Sequence, residues 1–192
     1  MKCRVSVDGR LPTALGLSRS DLRAAAAAFA ARSAARVGVP FRAVAVILQD
    51  DAFSAEVHAA VNGVAGPTDV VTQRYDALPG EAPGVYGELY VNVDQAFRAA
   101  PKRPGWSPRR EILLYVAHGM DHLSGADDHS PADFLRMRRR ELRWLREWDK
   151  DAQGQPFYVK VGNSSSTCMA KSNGPASAAT TCPKWTKWEK IC

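Results

Sequence analysis

The sequence predicts an α/β chain of the α+β layered kind, a small mixed sheet packed with helices. Three observations carry this. Short apolar runs rich in β-branched residues alternate with longer stretches of helical period. The run Val44-Ala45-Val46-Ile47-Leu48 is almost uninterrupted, as in a buried strand. Glycine, proline and asparagine fall where one kind of element gives way to the next, at Gly38, Pro40, Asn62-Gly63 and the loop Leu78–Gly84.

Taken in order, Lys2–Val7 reads as a strand. Ser18–Arg36 reads as an alanine-rich helix capped by Ser18 or Ser20 and ended by Gly38 and Pro40. Phe41–Leu48 is the second strand, and Asp50–Val61 a short helix stopped by Asn62-Gly63. Strands follow near Asp69–Tyr75 and Val85–Asn92, then a helical Val93–Ala100 and a loop over Pro101–Pro108. Two helices complete the domain, at about Ser107–Leu123 and Pro131–Asp149. Ser130 reads as the N-cap of the last one, with Pro131 at its first position. Leu135, Leu142, Leu145 and Trp148 are its expected buried side.

Three of the four histidines lie in His118-Gly119-Met120-Asp121-His122-Leu123-Ser124-Gly125-Ala126-Asp127-Asp128-His129. Spaced four apart on a helix, His118 and His122 share a face and are close enough to hold one metal ion. The apolar run Glu111–Ala117 reads as the buried part of that helix. Gly125 breaks it, so the chain can fold back and offer a third donor, Asp128 or His129. Two imidazoles and a third ligand make an open zinc site with one position left over. Gly119 stands where zinc proteases of the HExxH type carry their glutamate, which argues against a peptidase. Asp121 reads as an ordinary polar helix residue, with a role behind a metal ligand as the alternative.

The same stretch resembles the signature of the YbeY family, bacterial zinc-dependent endoribonucleases, which runs roughly H-G-x-L-H-L-x-G-Y-D-H. Gly66-Pro67-Thr68-Asp69-Val70-Val71-Thr72 resembles that family's PTDVLSF strand, and Gly87-Glu88-Leu89-Tyr90-Val91 its GEI strand. Ser130-Pro131-Ala132-Asp133 and Met137-Arg138 resemble the opening of its last helix. The blocks stand in the family's order over roughly residues 1 to 148. The resemblance implies one Zn²⁺ per chain, held by His118, His122 and a third ligand. Three imidazoles match the family's usual site and favour His129, with Asp128 as the alternative. It also implies single-strand-specific cleavage in rRNA maturation, at the 3′ end of small-subunit rRNA, and ribosome quality control. The implied partners are rRNA and the small ribosomal subunit, with no DNA expected. His118 and His122 would act in catalysis through the metal. This sequence departs from the pattern at several places. Asp128 holds the place of the third histidine, Asp121 replaces a leucine, Ala126 replaces a tyrosine, and Asn62 stands near an arginine linked to activity. Two other readings stay open: a non-catalytic ribosome-associated RNA-binding factor with structural zinc, and a zinc hydrolase of another substrate class.

Composition agrees with a nucleic-acid partner. The chain has 192 residues and a formal charge of +6, with a sequence pI near 9.3. Arg109 and Arg110 precede the histidine helix, and Arg139 lies in the arginine-rich last helix; these are the expected phosphate contacts. Glu88 reads as a residue of an edge strand, lining the site or solvated. No apolar run approaches the roughly 20 residues of a membrane span, and the N-terminus shows no signal peptide. No membrane association and a cytoplasmic location are therefore expected. Residues 1–150 are expected to form the domain, and 151–192 a C-terminal extension, largely disordered from its Ser-, Thr- and Ala-rich composition. Cys168, Cys182 and Cys192 fall in that extension and Cys3 at the start, with no CxxC spacing for a zinc ribbon.

Overall fold

The computed structural model describes residues 2–151. The expected disordered extension, with its cysteines and tryptophans, lies outside the described residues.

Four strands form one mixed sheet in the order β1-β2-β4-β3. They are β1 (Arg4–Gly9), β2 (Phe41–Gln49), β3 (Val70–Tyr75) and β4 (Val85–Asn92). β1, β2 and β4 run parallel, and β3 pairs antiparallel with β4 at the sheet edge. Glu88 therefore belongs to an inner strand, which corrects its reading as an edge residue. The helices are α1 (Arg19–Val37), α2 (Asp51–Asn62), α3 (Val93–Ala99), α4 (Pro108–Leu123) and α5 (Pro131–Asp151). Among the described residues no helix is long and apolar enough to cross a membrane.

The local signals are used as the sequence implies. Ser18 accepts from the Asp21 amide and starts α1, and Ser107 accepts from Arg110 and starts α4. Ser130 accepts from the Asp133 amide at 3.1 Å and starts α5.

One face of the sheet, carrying Val44, Val46, Leu48, Leu89 and Val91, is buried in a core with Leu22, Ala26 and Phe29 of α1. α4 completes that core with Ile112, Leu113, Val116 and Met120. It lies very close to the strands, because glycines meet side chains across the contact. A Cβ on Gly119 would sit 2.6 Å from Leu89 Cδ2, and one on Gly87 would sit 2.5 Å from Leu123 Cδ2.

α5 keeps most of the expected stripe: Leu145 is buried, and Leu142 and Trp148 pack against the core. Leu135 is 50% exposed, whereas Met137, Glu141, Trp144 and Leu145 face inward. The observed stripe follows a spacing of four, three and one residues, also a helical face. Packing against α4 draws Met137, Glu141 and Trp144 into that face and leaves Leu135 outside it. Trp148 remains at the core edge, meeting Phe29 edge-to-face with ring centroids 6.5 Å apart.

Candidate metal centre

α4 is buried along Glu111–Ala117 and emerges at its C-terminal turn. His118 and His122 project from this turn, with side chains 13% and 28% exposed. The helix ends in a closed turn around Gly125, whose φ is +82°. Its amide bonds to the His122 carbonyl at 2.8 Å, and the Ala126 amide bonds to the Asp121 carbonyl at 3.2 Å. This is the paired closure of a Schellman motif, which needs a left-handed residue and so favours glycine. It swings the chain back across the histidine face.

The turn delivers Asp128. Its Oδ2 lies 3.9 Å from His118 Nε2, and its Oδ1 lies 3.9 Å from His122 Nε2. The two Nε2 atoms are 3.1 Å apart. These separations fit a shared ion, since bonds of about 2.0–2.2 Å put neighbouring tetrahedral ligands roughly 3.3 Å apart. His118, His122 and Asp128 form one group of convergent ligand atoms, and Asp127, Asp128 and His129 form a second, more exposed one. His129 itself is 88% exposed and its Nδ1 is paired with Asp127. The structure thus brings Asp128 to the two helical histidines and turns His129 outward.

Hydrogen bonding fixes the state of both rings. His118 Nδ1 lies 2.7 Å from Glu141 Oε1, and His122 Nδ1 lies 3.0 Å from the Ala126 carbonyl. Both partners are acceptors, so each Nδ1 carries the proton and each Nε2 its lone pair. Two lone pairs then face each other at 3.1 Å. Only a proton or a metal cation between them makes that arrangement favourable, and the residues present fit a divalent metal.

The electrostatics agree. Burial pulls the His118 pKa down, but the hydrogen bond and charge of Glu141 outweigh it, and the net displacement is upward. His122 is displaced downward, first by burial and then by His118. Burial alone would raise Glu141, yet His118 and Arg138 carry it below the usual carboxylate range.

Glu141 is the residue that sequence reading passes over. It is fully buried, bonds His118, and lies 3.1 Å from Arg138. Its signal is a carboxylate lying in line with Met137, Trp144 and Leu145. An acid on an apolar stripe needs a buried partner.

Asp121 is corrected as well. It is fully buried, accepts from Arg140 Nε at 2.7 Å, and has Arg36 Nη2 3.4 Å from its other oxygen. It is neither solvated nor in contact with a histidine ring, and its ion pairs hold the end of α4 to α1 and α5.

The three expected phosphate contacts are dispersed. Arg109 donates to the Gly16 carbonyl at 2.8 Å, and Arg110 pairs with Asp149 at 2.8 Å over the Trp106 ring. Arg139 is exposed on α5. Arg74, on the edge strand β3, is also exposed and donates to the Leu123 carbonyl at 3.3 Å, beside His122.

Comparison with known proteins places the chain in a family. A family model described as Endoribonuclease YbeY matches residues 17–149. A relative of that name from Rhodopirellula baltica is 45% identical over 78 residues, 40% of this chain and 38% of the relative. One from Anaeromyxobacter sp. is 30% identical over 168 residues, 86% of this chain and 79% of the relative. A third, from Roseiflexus sp., is 34% identical over 110 residues, 54% of this chain and 68% of the relative. The solution structure of TM1509 from Thermotoga maritima resembles this fold with a TM-score of 0.50 and 20% identity, covering 83% of this chain and 99% of that one. The chain belongs to the YbeY endoribonuclease family, hydrolases acting on the phosphodiester bonds of RNA.

Proposed function

We propose that this chain is a zinc-dependent, single-strand-specific endoribonuclease of rRNA maturation and ribosome quality control, working in the cytoplasm at the 3′ end of small-subunit rRNA. The observation that carries the metal is the facing pair of Nε2 lone pairs, 3.1 Å apart, with Asp128 across from both. His118, His122 and Asp128 would hold one zinc ion. Imidazole nitrogen and carboxylate oxygen are both ordinary zinc donors, and three protein ligands are the number an open site has. The earlier preference for His129 rests on the resemblance alone, and the geometry favours the alternative. Zinc, when bound, supplies Lewis acidity toward a phosphoryl oxygen and makes water more acidic.

The chain's own groups prepare that chemistry. Glu141 orients His118 and makes its Nε2 a better donor, and the Ala126 carbonyl does the same for His122. Asp121 anchors the helix end from below. Arg74 presents a guanidinium at the rim, suited to a phosphate oxygen, and Arg139 is the exposed cation on α5 for flanking backbone. The fold commits Arg109 and Arg110 to structural contacts.

Elemental mass spectrometry on the full chain tests the site. About one zinc per chain is expected in wild type and in His129→Ala, with loss in His118→Ala and Asp128→Ala. Cleavage of single-stranded RNA should disappear with the metal. Zinc lost in His129→Ala but kept in Asp128→Ala would restore His129 as the ligand. RNA binding without cleavage by the zinc-loaded wild type would make the chain a non-catalytic RNA-binding factor.

A further inference from the structure

The sheet face opposite α4 carries a feature that the metal centre does not use. A groove of about 290 Å³ runs across β1, β2, β4 and the end of β3. Ser6, Ala43 and Ala45 line it alongside Tyr75, Tyr86 and Glu88, with Arg4 also present. The register puts these side chains in rows. Tyr75 stands directly opposite Tyr86, Tyr86 opposite Ala43, and Glu88 opposite Ala45. Tyr75 is 40% exposed.

The aromatic rings are held in place. Glu88 Oε2 accepts from the Tyr75 hydroxyl at 2.8 Å and from the Tyr90 hydroxyl at 2.6 Å. The Tyr86 hydroxyl donates to the Ala82 carbonyl at 3.1 Å. Two phenols fill both lone-pair positions of Oε2. Among the described residues no donor reaches Oε1, so one carboxylate oxygen keeps its full accepting capacity beside pre-set tyrosine rings.

We propose that this groove is a guanine subsite for single-stranded RNA, an inference that rests on the ribonuclease reading above. A four-stranded sheet with aromatics on an open face is a platform on which unpaired bases stack. Small residues leave room for a flat ring, and rings already fixed lose little entropy on stacking. The carboxylate selects the base. Guanine offers two adjacent N–H donors, N1–H and the 2-amino group, that can share Oε1 as a common acceptor. Uracil sets carbonyl oxygens on both sides of its one donor, and these face the carboxylate charge. Arg4 supplies a cation for a neighbouring phosphate. The alternation of β3 connects the two faces: Arg74 reaches toward the end of α4, and the next residue, Tyr75, lines the groove. A strand leaving the metal centre over this edge would meet the groove directly.

The test is fluorescence anisotropy with the zinc-loaded full chain and labelled 2′-O-methyl hexamers, UUGUUU and UUUUUU. The guanine hexamer should bind roughly tenfold tighter, the scale of a good base-edge contact. Glu88→Gln should remove that preference, and Tyr86→Ala should weaken the guanine hexamer by about tenfold through lost stacking. Tyr86→Phe keeps the ring and should keep binding, which separates stacking from a folding defect. Equal affinities in wild type, or a preference that survives Glu88→Gln, would overturn the proposal. So would self-association abolished by Tyr86→Ala, which would give the face to a second copy. A chain that shows the preference but cuts no RNA removes the nuclease reading and leaves the subsite. A chain that cuts RNA but binds both hexamers alike removes the subsite alone.

Discussion

At its N-terminal end α4 carries Arg109, Arg110 and Glu111, and each meets a protein partner: the Gly16 carbonyl, Asp149 and Arg103. About 10 Å further along the helix, His118 and His122 also have their Nδ1 atoms bonded within the protein, but among the described residues their Nε2 atoms lie within hydrogen-bond distance only of each other, with Asp128 3.9 Å from both. Both regions are polar, partly buried and built from one helix. The first closes its charges on itself and so serves the fold. The second leaves two acceptors aimed at one point, the arrangement that the proposed metal needs.

Glu111→Ala should have the largest effect on stability. Glu111 is fully buried and lies 2.9 Å from Arg103. Removing it takes the Glu111 carboxylate from beside a mostly buried guanidinium, a loss of roughly 3 kcal/mol, measurable by urea unfolding. Zinc stoichiometry should not change. Lost zinc in a still-folded Glu111→Ala would break the division between the two ends.

Glu141→Gln sharpens the comparison from the other side. The amide can still accept from His118 but brings no charge, so zinc affinity should fall by about tenfold, as for other groups that orient metal ligands. Competition with a chromophoric chelator reads this directly. Unchanged affinity would make Glu141 a purely structural acid like Glu111.

The smallest effect is in pH. In the metal-free chain Glu141 titrates below its ordinary 4.5 and His118 above its ordinary 6.5. The depressed carboxylate stabilises above the first value and loses that contribution as pH falls through its folded pKa. The raised imidazole stabilises below the second value and loses it as pH rises through its folded pKa. The stability difference between wild type and Glu141→Gln should therefore peak between about 4.5 and 6.5. Thermal unfolding in chelator across that range checks it, and a difference that grows steadily to high pH would contradict the pairing.

The sequence shows best what is local. Ser130 announces a helix start by side-chain chemistry three residues deep, as does Ser18 of the pair Ser18 and Ser20, and both are used so. The HxxxH spacing and Gly125 likewise place two donors and a turn without outside help. Relations between elements are less legible. On α5 the expected Leu142, Leu145 and Trp148 do turn to the core, but only contact with α4 shows that Met137, Glu141 and Trp144 join them and that Leu135 does not. Asp121 looks like a surface acid until Arg36 and Arg140 arrive from two other helices. Asp128 and His129 are adjacent, and which one faces the histidines depends on how the closed turn is aimed. That aim is a property of the packed helices, not of the two residues.

The closed turn has a consequence for how metal loss would be felt. His122 and Asp128 bracket the link between α4 and α5, so an ion bound to both would act as a clasp across it. The core beneath would hold without the clasp, because the buried ion pairs of Asp121 already join α1, α4 and α5. Depletion should thus loosen Gly125–His129 first. Amide exchange and protease nicking would rise there while the sheet stays protected, so the chain would carry a local record of its metal status long before it unfolds.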